Sequence, residues 1–243
     1  MPNAGTANLQ WLGAATLVVL CAAGTAFAQP KTNADYCDSD GANLVLAIDT
    51  TTPYDEKDKD LLVRAVADIF ETMHGGDRLV MRTITSSFAN SERLIDRCVP
   101  RCKAKTVWDG SWQCNQGIII NDTKKVRQEV IQSLRVRLAN FQEQRYSDLI
   151  RTLSTLSREE MQHGRRRILY VISDLIENSD YIPGKVFFTL ETRKLMQIVK
   201  KYNLFSSLAG VDVHVFGVGR DASPRTADRL CVAESHGVLE CVL

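Results

Sequence analysis

The chain has 243 residues, 44% of them hydrophobic and 24% charged, with a formal net charge of +1. That is an ordinary globular composition, enough for one sizeable α/β domain or two small ones, and the total charge gives no reason to expect nucleic acid or an anionic membrane as partner.

Residues 1–30 differ from the rest. No Lys or Arg precedes Lys31, residues 11–23 are nearly all apolar or small, and Ala26-Phe27-Ala28 reads as a small-x-small cleavage site ahead of Gln29. We expect a signal peptide at residues 1–28, a lead-in at 29–42 and a single domain at 43–243, in a protein that is periplasmic or secreted. The apolar run is too short for a membrane anchor, so no stable span is expected after cleavage. Leu20 before Cys21 stands where a lipoprotein signal has a small residue. Six cysteines then remain: Cys37, Cys98, Cys102, Cys114, Cys231 and Cys241. An even set in an exported chain points to disulfides. A zinc site at Cys98, Cys102 and Cys114 lacks a nearby His to complete it.

Residues 43–48 form a short apolar run rich in branched side chains, the pattern of a strand buried on both faces. It stops at Asp49 and three threonines. A helix is expected over 55–74, with Leu61, Leu62, Val66, Ile69, Phe70 and Met73 on one stripe and Gly75-Gly76 at its end. Residues 78–85 read as a second strand, 86–91 as a polar turn and 92–98 as an antiparallel edge strand. Residues 102–114 read as a stapled loop. Caps at Asn121-Asp122-Thr123 predict a long helix over 123–144, and 148–161 a further one. Residues 168–173 are another buried strand that again ends at an acid, Asp174. After a polar loop at 178–184 come a helix over 190–202, a strand over 211–218 and a final helix from Ser223 through Val232.

This alternation predicts a doubly wound, mostly parallel sheet with one antiparallel edge strand and helices on both faces, whose strand carboxyl ends share one rim. Following the direction of each element brings Asp49-Thr50-Thr51-Thr52, Ser147 and Asp174 to that rim. Two carboxylates and several hydroxyls are hard oxygen ligands suited to Mg²⁺ or Mn²⁺, with Ca²⁺ as a further option. Each hydroxyl taken alone equally suits a helix cap.

At these residues the chain resembles a von Willebrand factor A domain, whose metal-ion-dependent adhesion site uses an Asp-x-Ser-x-Ser motif, a Thr from a later loop and an Asp after a central strand. Asp49 matches the first acid, Thr51 the first hydroxyl, Ser147 the loop Thr and Asp174 the last acid. Pro53 stands at the second motif Ser, so Thr52 would have to take its place. The resemblance covers roughly residues 43–229 and implies a binding role in which a partner's carboxylate completes the ion's shell.

The same winding puts Cys37, Cys98, Cys102 and Cys114 toward the opposite rim. We expect two bridges among those four, with the pairing open, and a third between Cys231 and Cys241. The expected function is recognition of a protein of a cell-envelope or surface assembly. The alternative is a metal-dependent hydrolase or phosphoesterase using Asp49 and Asp174, with Glu177 as a further acid on the metal. No nucleophile elbow or phosphate-cradling loop supports an enzyme.

Overall fold

The computed structural model describes residues 36–102, 115–141 and 144–217, and the backbone of 230–233 and 239–242. The expected signal peptide, the first half of the lead-in, the greater part of the 102–114 loop and the start of the expected final helix lie outside the described residues. The chain divides at Lys31, and everything below concerns the unit Thr32–Leu243.

β1 (Asn43–Asp49) is buried at all seven positions, because it runs through the middle of a five-stranded sheet. β2 (Arg78–Ile84) and β4 (Arg167–Ile172) pair with it in parallel on either side. β3 (Arg93–Cys98) lies antiparallel outside β2, and β5 (Val211–Phe216) lies parallel outside β4, giving the order β3-β2-β1-β4-β5. Sequence pattern follows position: the central strand is apolar on both faces, while edge strand β3, RLIDRC, mixes charged and apolar residues.

Alternation in β1 sorts the core into two layers. Leu44, Leu46 and Ile48 pack with Leu62, Val66 and Phe70 of α1 (Glu56–Glu71) and with Val126, Val130, Leu134 and Leu138 of α2 (Gln116–Ala139). Val45 and Ala47 face the other way, onto Leu149 and Leu156 of α3 (Leu149–Glu159). Helices therefore cover both faces, as the sequence predicts. A smaller cluster of Tyr181, Ile182, Val199 and Leu204 ties α5 (Thr192–Lys201) and the single turn α4 (Gly184–Phe187) to Ile150 of α3.

Two expectations need correction. The long helix starts at Gln116, seven residues ahead of the expected Thr123. The Asn115 side-chain oxygen accepts hydrogen bonds from the backbone N–H groups of Gly117 and Ile118, so the helix's free donors are met there. Ile118 and Ile120 are then more than half exposed on the helix surface. The other correction is at the C-terminus. Residues 230–232, expected in a helix, belong to strand β6 (Leu230–Ala233), which pairs antiparallel with β7 (Leu239–Val242). Cys231 and Cys241 occupy opposite register positions in that pair.

At the lower rim Cys37 is bridged to Cys98 at the end of β3. Cys102 is also disulfide-bonded. The bridge anchors the lead-in together with Tyr36, which is buried and donates to Asp122 Oδ2 at 2.7 Å. Nearby, Glu160 caps α3 while its carboxylate lies among the guanidinium groups of Arg78, Arg82 and Arg93, joining that helix end to β2 and β3.

Candidate functional site

The loop after β1 is held rigidly from several sides. Thr50 N–H and Oγ1 both donate to the Ile84 carbonyl at the end of β2, at 3.0 and 2.9 Å. Tyr54 Oη donates to the Asp49 carbonyl at 2.7 Å, folding the chain back over its own loop. From α2, Arg137 reaches Thr50 Oγ1 at 3.3 Å. A strand-terminal turn anchored this way presents its side chains with little freedom, which is what a pre-organised site needs.

Asp49 is 1% exposed, and both its carboxylate oxygens are engaged. Oδ1 accepts from Thr51 N–H at 2.9 Å and from Thr51 Oγ1 at 2.6 Å. Oδ2 accepts from Ser173 Oγ at 2.7 Å. The last contact follows from register: Ile48 pairs with Ile172, so the next residue on each strand, Asp49 and Ser173, meet on the α3 face. Ser173 Oγ in turn accepts from Leu175 N–H at 3.0 Å. Leu175 has a φ of 63°, an uncommon conformation for a side chain of its size, and its amide is one tie holding it there.

Asp174 lies one residue further on and is partly exposed. Its Oδ1 accepts from Ile176 N–H at 2.9 Å, and Thr52 Oγ1 makes a long 3.4 Å contact with Oδ2. Thr52 therefore faces the second acid while Pro53 is exposed.

Ser147 enters the same rim from the loop before α3. Its backbone pairs in both directions with Asn178, four residues beyond Asp174, at 2.7 and 3.0 Å. The next residue, Asp148, donates its N–H to the Thr85 carbonyl just past β2. Ser147 is 6% exposed, and its Oγ is buried without a hydrogen-bond partner. A buried hydroxyl of that kind is uncommon and calls for an explanation such as an ion or water that it serves.

Glu177 has a different fate from the acids beside which the sequence places it. Its side chain turns to the start of α3, where Oε2 accepts from Ile150 N–H at 2.8 Å, and the residue is fully buried. Burial pushes its carboxyl pKa above the ordinary value, against the pull of hydrogen bonds from Ser179, Ile150 N–H and Tyr181. Beside it, burial and the neighbouring Glu177 push the Tyr181 phenol up as well. Tyr181 Oη donates to Asp148 Oδ1 at 2.6 Å. This buried network fixes the base of α3, so Glu177 is a helix cap and is withdrawn from the open edge where Asp174 lies.

Among the described residues no three His, Cys, Asp or Glu side chains gather in a way that would hold a metal. The donor set at the rim is instead two carboxylates with Thr51, Thr52, Ser147 and Ser173. Such a set fits a hard cation that keeps several of its waters, as Mg²⁺ does. Ser173 is the member that residue pattern alone did not single out. The position of Ser173, next to a strand-terminal acid, was the available signal.

No protein-family model and no curated protein matches the chain. Among solved structures it is similar to an aerotolerance-related membrane protein from Bacteroides fragilis carrying multiple mutations to serine. The identity is 12% and the TM-score 0.39, over 83% of this chain and 81% of that one. A superposition that loose identifies neither partner nor ligand.

Proposed function

We propose that the protein is an exported binding module that recognises a macromolecular partner at the carboxyl-end rim of its sheet, with a divalent ion, Mg²⁺ or Mn²⁺, as part of the contact. The observation that carries this reading is the convergence of Asp49 and Asp174 from adjacent parallel strands, with the unpartnered Ser147 hydroxyl at the same end. Asp49, Thr51, Ser147 and Asp174 are the residues that would hold the ion, directly or through water, and Thr52 stands in for the hydroxyl absent at Pro53. The resemblance of this set to the adhesion site of von Willebrand factor A domains supports a binding role. The Cys37–Cys98 bridge supports a periplasmic or secreted location, where disulfides persist.

The test is calorimetric titration with Mg²⁺ and Mn²⁺, followed by partner capture from envelope extracts. One site is expected in the wild type, with ion and partner binding both lost in Asp49→Ala. Partner capture that survives Asp49→Ala with no ion signal in the wild type removes the ion from the reading and leaves the rim. The hydrolytic alternative predicts Mn²⁺-dependent turnover of generic phosphate esters. With Glu177 buried in a cap, we expect none across a broad panel.

A further inference from the structure

The stretch from α4 to just beyond α5 holds an uneven share of the exposed apolar surface. Val186, Phe188, Met196, Tyr202 and Phe205 are five of the ten exposed large hydrophobic residues among the described ones, and Phe188 is 73% exposed. Phe188 sits on an ordered turn in which Val186 N–H donates to the Pro183 carbonyl and Thr189 N–H to the Val186 carbonyl. Its ring meets Phe187 edge-on and otherwise faces solvent. Scattered single hydrophobics are normal on a surface, but a cluster of this kind marks contact with something else.

Positive charge is concentrated in the same place. Residues 185–205 contain Lys185, Arg193, Lys194, Lys200 and Lys201 against the lone acid Glu191, five minus one, or +4, where the whole chain totals +1. The chain total thus conceals a basic face. On α5, Leu195, Ile198 and Val199 turn inward to the Tyr181–Leu204 cluster, while Met196 and the four basic residues are exposed. Lys194 approaches Glu191 at 3.9 Å, an exposed pair with little hold on either side chain. Complementing the helix dipole accounts for Lys200 and Lys201 at the end of α5. It accounts for none of the apolar side chains.

We propose that the α4–α5 stretch is a docking face for an anionic phospholipid surface, with Phe188 and Val186 entering the boundary between headgroups and acyl chains and Arg193, Lys200 and Lys201 meeting lipid phosphates. Charge complementarity selects the occupant. A basic helix face with adjoining exposed aromatic residues is the composition of segments that lie in a membrane interface. Four of the five cations are Lys, a residue depleted at protein–protein interfaces and well suited to a diffuse anionic layer. This inference stands apart from the ion at the rim and needs none of its residues.

The test is co-sedimentation of the exported, processed protein with vesicles of phosphatidylcholine alone and of phosphatidylcholine mixed with phosphatidylglycerol. Partition into the mixed vesicles is expected, weakening as salt is raised, with little into the neutral ones. The double variant Lys200→Gln/Lys201→Gln should partition roughly 25-fold more weakly, about fivefold per lysine. Phe188→Ser should also weaken partition while leaving the thermal midpoint unchanged, because the side chain is exposed. Asp49→Asn should partition like the wild type. Equal partition into both vesicle types, partition into neither, or wild-type partition by both α4–α5 variants would overturn the proposal. Absence from both vesicle types would point instead to an acidic protein on this face.

Discussion

Replacing Asp49 with Asn is the sharpest perturbation of the rim. Three hydrogen bonds converge on the carboxylate, two from Thr51 and one from Ser173. An asparagine oxygen can keep both Thr51 bonds, but its NH₂ then faces Ser173 Oγ, whose O–H loses the carboxylate oxygen to which it donates. The loss is one hydrogen bond to a charged group, about 1.5–3 kcal/mol. Removing an anion from a site 1% exposed offsets part of it. Ion-free Asp49→Asn should therefore lie within about 2 kcal/mol of wild type, roughly 4–8 °C in thermal midpoint for a chain of this size. With ion at about a hundredfold its Kd, the wild type should gain about 2.7 kcal/mol. That is a rise of roughly 5–11 °C, absent from the variant. Differential scanning fluorimetry with and without Mn²⁺ reads both quantities. An equal rise in wild type and Asp49→Asn would place the ion elsewhere, and no rise in the wild type would remove it from the rim.

Three further outcomes test the surrounding structure. Glu177 has its folded pKa raised by burial, so its contribution is present below the ordinary value of 4.5 and is lost as pH climbs through the raised folded value. Urea denaturation at a series of pH values should show wild type losing stability relative to Glu177→Gln across that window, and a constant difference would contradict the assignment. Cys37→Ser opens a bridge between residues 61 apart and should cost about 4 kcal/mol on the chain-entropy relation. An unchanged denaturation midpoint under non-reducing conditions would refute it. Glu160→Ala removes a carboxylate 2% exposed that Arg78, Arg82 and Arg93 share. Arg78 and Arg93 keep Asp96 and Arg82 keeps the more distant Glu159, so the cost should be about 1.5–3 kcal/mol. A loss under about 1 kcal/mol, as for a surface pair, would show that the cluster does not act as a buried one.

Much of the fold was legible because burial leaves a local trace. The unbroken apolar run of β1 announced a strand covered on both faces, the stripe on α1 announced its inward side, and the mixed pattern of β3 announced an edge. Acids at the ends of β1 and β4 were visible for the same reason, since an abrupt charge after an apolar run marks where a buried strand surfaces. The start of α2 was misplaced because two good caps compete there. Asn115 and the Asn121–Thr123 triplet both suit a helix N-terminus, and the exposed isoleucines between them look alike in a strand or on a helix surface.

The amino-acid sequence by itself determined where the five strands of the main sheet and α1 run and which acids end β1 and β4, because those choices depend on neighbours a few positions away. Only the tertiary structure decided that Ser173 holds Asp49, that Thr52 rather than position 53 faces Asp174, and that Glu177 is drawn off to cap α3. The first two contacts join residues 124 and 122 positions apart. Their partners are chosen by the order and register in which strands lie side by side, and no local pattern in the chain encodes that order.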